Sequence, residues 1–514
     1  GDLRVAAKLN DPRLAGRLGK SPLQLRADGA QIVGKNFSAA DLAVRLGRSE
    51  APFAFDAARL KGTFSGSGIS GTFGGAKSTI GNVPLLLTDA DGRWRYFRND
   101  LTVNGALNLS DRSETPRFYT LRSNDFKVKL SGDKITAGGT LVHPASGTKV
   151  TDVTIRHALS SGRGQAILDV PGIRFDQGLQ PEELTRLTEG VIALVVGTVQ
   201  GRGEINWNGD GKVTSTGDFS TAGVDLAAPF GPVTGLSGNI HFTDLLGLET
   251  APGQTATIAT INPGILVENG VIRYQLLPNQ LVKVERGEWP FMGGRLILRE
   301  TVLNFGRPSP KRLTFEVVGF DAKKFIDTFG FQGIEITGTF DGVLPMIFDE
   351  NGGRVVGGRL DSREPGGQFN YNGTKPKAGI AVGLAFDLLS NMRYQQMTIR
   401  LDGDLAGEFA SRFEIGEVSL GNRGGFAAGL VRNAFKKVPL KVNLSIKGPF
   451  RALVQMAKGF KDPRQVIAPV MPFPLDAPGI VTEVRVLGKQ EEQTPTTPTN
   501  DVKVSTKPPQ PSEK

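Results

Sequence analysis

The stretch TGTFDGVLPMIFDENGGRVVGGRLDSREPGGQFN, residues 337–370, decides the fold. Short runs rich in apolar residues, such as the one that holds Val343, Met346 and Phe348, are separated by turns that contain glycine. Short apolar runs between such turns are typical of strands. Because no helical pattern stands between the runs, the stretch predicts consecutive strands of an antiparallel sheet.

The same alternation fills most of the chain. In residues 441–447, KVNLSIK, apolar and polar residues alternate strictly, so successive side chains are expected on opposite faces of a strand. Residues 126–130 and 312–317 follow the same rule. The apolar members of these three segments are Val442, Leu444 and Ile446, then Phe126, Val128 and Leu130, then Leu313, Phe315 and Val317. The pattern predicts a sheet with one apolar and one polar face.

The length of 514 residues exceeds what one core usually supports, which is about 250–300 residues. A sheet that adds strands along one axis escapes this limit, because each strand contacts mainly its neighbours. The 67 glycines favour bent and twisted strands over flat ones. The expected fold is therefore mostly β, an elongated and twisted antiparallel sheet with a few short helices.

Composition narrows the function. Cysteine is absent, and His143, His157 and His241 lack carboxylates at ligand spacing, so no metal site and no cofactor are expected. The net charge of +10 is spread along the chain rather than gathered in a block, which disfavours nucleic acid as a partner. A basic outer face would still suit anionic lipid headgroups.

Glycine-rich and acidic motifs do not predict catalysis. Gly66, Gly68 and Gly71 spell GxGxxG, and residues 71–78 differ from a phosphate loop at Ala76. Both motifs require a helix after the glycines, whereas residues 79–87 have the pattern of a turn and a strand. The carboxylate pairs, such as Asp402 and Asp404, lack surroundings that would separate their pKa values. We therefore expect a protein that is not an enzyme.

Four regions are expected along the chain. They are a first sheet over 1–177, a helical insertion over 178–200, a second sheet over 201–487 and a disordered tail rich in proline and threonine over 488–514. Helices are predicted over 181–189, 321–328, 385–392 and 450–460, the last of which suits either the sheet or a membrane surface. No apolar run is long enough to cross a bilayer, and the start at Gly1 indicates the C-terminal portion of a longer protein with its anchor upstream.

Residues 234–264, TGLSGNIHFTDLLGLETAPGQTATIATINPG, resemble a signature of the YdbH branch of the AsmA-like envelope proteins. The family elements T-x-P-G-Q and I-N-x-G correspond to residues 250–254 and 261–264. Further elements follow in the family order, namely GGRL at 293–296, GTFDGVLP at 338–345, and glycine pairs at 357–358 and 366–367. The resemblance is strong over 234–487 and rests on architecture alone upstream.

This resemblance implies a fold, a function and partners. The family is similar to long β-grooves that are anchored in the inner membrane and reach across the periplasm, with phospholipid transfer toward the outer membrane as the inferred role. Pairing of the C-terminal end with a small outer-membrane lipoprotein, YnbE, by strand addition is also implied. An older label for the domain is dicarboxylate transport, which would require converging arginines.

Two interpretations of the apolar face stay open. It could close on itself as a dry core, or it could line a trough for acyl chains. For the trough, the residues expected to contact lipid are Phe126, Val128, Leu130, Leu296, Leu298, Phe315, Val317, Ile334, Ile336, Val442, Leu444 and Ile446. The alternative function is an envelope assembly scaffold, with Val481, Val484 and Val486 on an exposed final strand that binds the partner.

Overall fold

The computed structural model describes residues 6–9, 11–18, 21–47, 53–66, 68–80, 83–228, 231–262, 266–329, 334–349, 352–371, 392–405, 408–420, 440–449 and 481–487. Antiparallel strands dominate these residues, so the prediction of a mostly β fold with a few short helices is confirmed. The predicted helices over 385–392 and 450–460 fall outside the described residues, except that Met392 begins a strand. The predicted tail over 488–514 also lies outside them.

The chain divides into two compact units. Unit 1 comprises residues 1–228, 234–256 and 275–280, and unit 2 comprises residues 229–233, 257–274 and 281–514. Residues 178–200, predicted as a helical insertion, lie within unit 1.

Unit 1 is built on an antiparallel meander. Strands β1 and β2 lie end to end along β3, and from β3 to β14 each strand pairs with the next. The strands are β1 Ala6–Leu9, β2 Arg13–Leu18, β3 Ser21–Val33, β4 Asn36–Leu46, β5 Phe53–Ser65, β6 Gly68–Ile80, β7 Leu85–Phe97, β8 Asp100–Asp111, β9 Leu121–Ser131, β10 Lys134–Val142, β11 Lys149–Ala158, β12 Gly164–Phe175, β13 Ala193–Trp207 and β14 Val213–Ala228.

Four strands come next in the chain, and the division between unit 1 and unit 2 falls within or beside them. These four are β15 Gly231–Asp244, β16 Glu249–Thr250, β17 Gln254–Ile261 and β18 Val267–Leu277. The strands of unit 2 are β19 Leu281–Phe291, β20 Gly294–Leu298, β21 Thr301–Asn304, β22 Lys311–Asp321, β23 Ile334–Ile336, β24 Thr339–Asp349, β25 Gly352–Ser362, β26 Gly367–Tyr371, β27 Met392–Asp404, β28 Glu408–Leu420, β29 Leu440–Pro449 and β30 Val481–Leu487.

The pairing in unit 2 follows one main line with a branch. The main line runs β19, β20, β22, β24, β25, β27, β28, β29 and β30, all antiparallel. The branch consists of β23 and β26, and β26 pairs with the first residues of β27. Strands β25 and β26 thus lie end to end along one edge of β27.

The described helices are short. Helix α1, Ala322–Phe329, confirms the helix predicted over 321–328, and Asp321 caps it because its Oδ1 accepts hydrogen bonds from the backbone N–H of Lys323 and Lys324. The helix predicted over 181–189 instead forms two 3₁₀ turns, Pro181–Glu183 and Arg186–Thr188. Strand β13 begins at Ala193, so the predicted helical insertion was too long.

Four sites share one hydrogen-bonding device, which we call the Asp–Gly clamp, and three of them, at Gly75, Gly319 and Gly357, are β-bulges where the register shifts. In each clamp, an aspartate on one strand accepts a hydrogen bond from the backbone N–H of a glycine of positive φ on the adjacent strand. The pairs and N···O distances are Gly75–Asp91 at 3.1 Å, Gly235–Asp225 at 2.8 Å, Gly319–Asp341 at 2.8 Å and Gly357–Asp402 at 2.5 Å. The carboxylate replaces the carbonyl partner that a bulge removes.

The clamp at Gly319 shows what the bulge does for the apolar face. On β22, Phe315 and Val317 are buried, and strict alternation would then bring Gly319 to the same face. The register instead shifts by one residue after Val317, and Phe320 is buried opposite Phe340. A φ of 70° at Gly319 permits the shift, because L side chains rarely adopt this conformation. The bulge bends the strand and keeps its apolar side continuous.

Candidate functional site

The most continuous apolar feature of unit 1 is a row of residues that crosses ten adjacent strands, which we call row 1. Each member is the direct Cα partner of the next, so the row runs perpendicular to the strands. At about 4.8 Å between strands, row 1 extends roughly 43 Å. From β5 to β14 its members are Gly62, Gly71, Trp94, Val103, Val128, Ala137, Ile155, Ala166, Ile205 and Ser215.

Row 1 is partly accessible to solvent and carries no charged side chain. Trp94, Val103, Val128, Ile155 and Ile205 are all half-buried. The row's one hydroxyl group, that of Ser215, donates a hydrogen bond to Asp244 and so adds no unpaired polar group. The result is an apolar strip that water reaches along much of its length.

Two of the lipid-contacting residues predicted in unit 1 lie in rows beside row 1. Phe126 is opposite Gly105 and Leu130 is opposite Leu101, and both predicted side chains are buried. Phe126 belongs to a cluster of buried apolar residues that spans β5 to β9, against which Val103 and Val128 pack. The structure therefore brings the three predicted residues of β9 to one face.

Unit 2 carries a matching row across nine strands, which we call row 2. Its Cα partners again follow one another without a break. From β19 to β30 its members are Trp289, Leu296, Val317, Gly342, Leu360, Ile399, Phe413, Leu444 and Val484.

Row 2 differs from row 1 because most of its described members are buried from solvent. Trp289, Leu296, Val317, Leu360 and Ile399 are buried, with only 1% of Val317 exposed. The indole of Trp289 fits because two glycines lie beneath it: a Cβ added to Gly270 or Gly287 would come within 2.0 or 2.6 Å of the ring. Row 2 is a packed core where row 1 is an open strip.

An aromatic cluster lies in the row of side chains next to row 2, on the same face of the sheet. Phe320 is the Cα partner of Phe340, and its ring centroid lies 6.3 Å from that of Phe340, 6.0 Å from that of Phe291 and 5.4 Å from that of Phe325 on α1. Helix α1 therefore contributes to the cover of the apolar side of unit 2. Edge and offset contacts of this kind add stability beyond their buried area.

The remaining predicted lipid-contacting residues fall into three groups. Leu298 and Phe315 are Cα partners. Both are buried in the row of side chains next to row 2, two residues along their strands from Leu296 and Val317. Ile336 lies on the branch, where it is buried opposite Phe369. Ile334 is the Cα partner of Tyr371. On β29 the side chains lie outside the described residues, but the register places Val442 opposite Ile415, Leu444 opposite Phe413 and Ile446 opposite Ser411.

The predicted partner-binding strand forms as β30. It pairs antiparallel with β29, and this is its one strand pairing within the described part of the chain. Val481, Val484 and Val486 lie opposite Lys447, Leu444 and Val442 in the register.

Sequence reasoning missed several members of both rows. Trp94, Val103, Ile155 and Ile205 in row 1 and Leu360 in row 2 belong to strands that also alternate in sequence. Alternation within each strand could have found them. Their alignment across strands depends on bulges whose positions alternation does not give.

The opposite face of unit 2 is polar and carries ion pairs both between strands and within β19. Arg299 pairs with Glu316 at 2.5 Å and Arg400 with Glu414 at 2.8 Å, and Glu288 receives both Arg286 and Arg295. These two arginines hold the pKa of Glu288 below its usual range. The carboxylates on this face are therefore occupied by structural partners.

The acidic and histidine residues offer no metal centre within the described residues. His157 stacks on Trp207 with a centroid distance of 6.0 Å, and burial lowers its pKa. His241 lies 2.6 Å from Asp218, and His143 lies 3.0 Å from the hydroxyl of Ser146. Two of the GxGxxG residues, Gly68 and Gly71, have a structural role, since residues 68–80 form β6 between β5 and β7.

Comparison with known proteins identifies the family. A model of the YdbH-like family, described as intermembrane phospholipid transport protein YdbH, matches residues 2–471. The chain belongs to the YdbH-like family. The match reaches far upstream of residue 234, where the resemblance in the sequence had been limited to architecture. No curated protein and no solved structure is similar enough to count as a match.

Membership gives lipid transport as the function of the family and phospholipid as its cargo, and the family is one of transport proteins rather than enzymes. Among the described residues, no helix has the length and apolar character needed to cross a membrane.

Proposed function

We propose that this chain carries phospholipids between two membranes by shielding their acyl chains on the apolar face of its sheet. The observation that carries the proposal is row 1, an uncharged strip across ten strands in which seven of the ten members are half-buried and so partly accessible. Exposing a 16-carbon chain to water costs about 13 kcal/mol at about 0.8 kcal/mol per methylene. A continuous apolar strip removes most of this barrier.

Loose binding follows from the chemistry of the strip. Apart from Ser215, whose hydroxyl is bonded to Asp244, its members are aliphatic side chains, glycines and one indole, which offer dispersion contacts and few directional bonds. An acyl chain can therefore shift by one strand without losing a specific contact. Transport in this scheme requires no cofactor and no bond-breaking step.

The setting we propose is the periplasm, with an inner-membrane anchor in the full-length protein and the sheet reaching toward the outer membrane. Support comes from the family description, which concerns transport between membranes. The row lying across successive strands suits this setting, because each added strand lengthens the path.

The test is native mass spectrometry with lipid extraction, on protein purified from a bacterial envelope without harsh detergent. Val128→Asp places a charge in the half-buried centre of row 1, whereas Thr102→Asp places it at an exposed position of the neighbouring strand β8. We expect phospholipid on the wild-type protein and on Thr102→Asp, and at least about a tenfold loss on Val128→Asp, since a charge in an apolar site is costly. A wild-type protein without lipid would refute the proposal.

A second function is favoured by β30. Since this strand has one strand pairing within the described part of the chain, its other edge can accept a further strand, as in strand addition by a small outer-membrane lipoprotein. Deletion of residues 481–487 should abolish capture of such a lipoprotein while the lipid content of unit 1 stays unchanged. Lipid-free wild-type protein that still captures the lipoprotein would favour an assembly scaffold.

A dicarboxylate site finds less support. Arg286 and Arg295 do converge on one point in unit 2, but Glu288 occupies it at 3.0 and 2.9 Å. Both arginines are therefore already paired with a carboxylate of the protein itself.

A further inference from the structure

One edge of the unit 1 sheet is lined by hairpin turns that carry positive charge, and we call it the turn edge. In the meander, the turns after β3, β5, β7, β9, β11 and β13 all lie on the same edge. Four of these six turns contain an exposed cation that forms no ion pair within the described part of the chain: Lys35, Arg98, Arg163 and Lys212.

The two acidic residues in the same turns are used by the backbone. Asp133 accepts a hydrogen bond from the N–H of Ser160 at 2.8 Å, and Asp210 accepts one from the N–H of Lys212 at 3.0 Å. Neither carboxylate forms an ion pair with a turn cation within the described residues. The four turn cations therefore outnumber the two turn carboxylates, and the turn edge carries a net positive charge.

Between the turn edge and row 1 lies a row whose aromatic members have polar tips. Tyr96, His157 and Trp207 belong to this row, which continues through Leu101, Leu130 and Ile135. The hydroxyl of Tyr96 donates to Asn99 in the turn at 3.1 Å, and the Nε1 of Trp207 donates to the Nδ1 of His157 at 3.2 Å. Tyrosine and tryptophan favour boundaries between apolar and polar surroundings.

The opposite edge of unit 1 uses its polar groups internally. Asp111, whose side chain is fully buried, accepts hydrogen bonds from Ser113 and Arg117. The Oγ1 of Thr185 donates to the carbonyl of Arg117, and the hydroxyl of Tyr119 donates to Glu189 at 2.7 Å. These bonds fasten the loop after β8 to the 3₁₀ turns, and Arg117 and Arg186 there are occupied by Asp111 and by the ring and hydroxyl of Tyr119.

From row 1 toward the turn edge, polarity thus changes from aliphatic to aromatic with polar tips to cationic. A phospholipid changes in the same order from acyl chain to ester to phosphate. We propose that lipids lie on unit 1 with their headgroup phosphates along the turn edge, where Lys35, Arg98, Arg163 and Lys212 contact them. The inference rests on the proposed function, and it adds the orientation of the cargo and the residues that read its charge.

Two photoreactive phospholipids test the orientation on the full chain, one with a diazirine in the headgroup and one with a diazirine at the acyl end. We expect the headgroup probe to label the turn-edge segments around residues 35, 98, 163 and 212, and the acyl probe to label row 1. Headgroup labelling of residues 112–120 or 181–189, with acyl labelling of row 1 intact, would overturn the orientation and leave the proposed function standing. No labelling of the sheet by either probe would contradict the proposed function itself.

Charge removal gives a second readout. A variant with Lys35, Arg98, Arg163 and Lys212 changed to glutamine is compared with a control in which the exposed Lys61, Lys77, Arg93 and Lys127 are changed to glutamine. Each cation near an anionic lipid surface contributes about fivefold in affinity. Because the turn-edge variant removes four cations, we expect it to lose at least about fivefold in anionic phospholipid relative to diacylglycerol. Equal losses in the two variants would overturn the assignment.

Free phosphate has the same chemistry as the phosphate of a lipid headgroup. A competition experiment distinguishes these two ligands. Labelling with the headgroup probe is repeated with excess inorganic phosphate. Retained labelling of the turn edge supports a lipid phosphate held there by its acyl chains. Loss of this labelling, with acyl labelling unchanged, would show a simple phosphate site and overturn the inference.

Discussion

Rows 1 and 2 have the same strand geometry but differ in how far their side chains are exposed to solvent. Both cross adjacent antiparallel strands through unbroken Cα partners, and both avoid charge. The side chains of row 1 are mostly half-buried, whereas those of row 2 from Trp289 to Ile399 are buried except at Gly342. The difference teaches that an apolar sheet face in this protein can be either partly open to solvent or packed as a core.

The cover over unit 2 explains part of the difference. Aromatic residues fill its apolar side, with Phe320 in contact with rings of β19, β24 and α1. Row 1 holds two glycines, Gly62 and Gly71, and smaller side chains such as Ala137. Unit 1 is therefore the part of the molecule that we expect to receive lipid without rearrangement.

The largest expected effect that tests the comparison is loss of a core ring in unit 2. Phe340→Ala should lower the free energy of unfolding by about 3–5 kcal/mol, because the residue is fully buried. The matched change Phe55→Ala in unit 1 should cost clearly less, since Phe55 is half-buried. Urea titration followed by tryptophan fluorescence measures both, and equal costs would remove the distinction between core and surface.

The acid sensitivity of unit 1 comes next. Burial would raise the pKa of Asp111, but hydrogen bonds from Arg117 and Ser113 outweigh it and hold the pKa well below its usual range. A carboxylate with a depressed folded pKa stabilises the fold above its unfolded pKa, and this stability is lost as the pH falls through the folded pKa. Asp111→Asn should therefore destabilise unit 1 by about 2 kcal/mol at pH 7.

The Asp111→Asn variant should also show a smaller decrease of Tm between pH 5 and the acid limit of the measurement than the wild type. Glu114→Gln, a change of an exposed carboxylate in the same loop, is the control. A wild-type Tm that falls no more steeply with acid than that of Asp111→Asn would contradict the role of this carboxylate.

Overpacking beneath Trp289 should have a moderate effect. A Cβ at Gly270 would lie 2.0 Å from the indole nitrogen, so Gly270→Ala must displace the ring and should cost about 1–3 kcal/mol. The control Gly223→Ala on β14 meets nothing within 4 Å. A red shift of the tryptophan emission in Gly270→Ala is expected, and an unchanged spectrum would mean that row 2 is looser than described.

The smallest effect concerns the Asp–Gly clamps. Asp341→Ala removes the acceptor for Gly319 and the partner of Arg363, and it should cost about 1–2 kcal/mol. Asp91→Ala removes a longer bond to Gly75 at a more exposed site and should cost about half as much. Hydrogen exchange of the Gly75 and Gly319 amides, compared between each variant and the wild type, measures each loss locally. A larger increase in exchange rate at Gly75 in Asp91→Ala than at Gly319 in Asp341→Ala would contradict this order.

Sequence alone predicted the strands and the two-faced sheet. Alternation in KRLTFEV placed Phe315 and Val317 on one face, and both are buried there. It could not predict that the face continues through Phe320, because the extra residue at Gly319 changes the phase of the pattern. The short 3₁₀ turns over 181–188 were predicted as one helix, since proline and acidic residues suit the start of either.

The candidate site was predicted less completely. Strand alternation identified Val128 and Val317, but their row partners depend on strand order and register, which arise from pairing across the chain. Exposure depends on what covers each face, and no local pattern encodes it. The predictions for lipid contact therefore stay predictions, with row 1 as the part that the structure supports best.

Quenching of Trp94 by lipids with brominated acyl chains tests the central claim most directly. Trp94 lies in row 1 and is half-buried, so a variant in which Trp207 and Trp289 are phenylalanine reports on this strip alone. We predict that bound brominated phospholipid quenches this emission and that Val128→Asp abolishes the quenching. Emission that is unchanged when the lipid binds would place the acyl chains elsewhere and contradict the account.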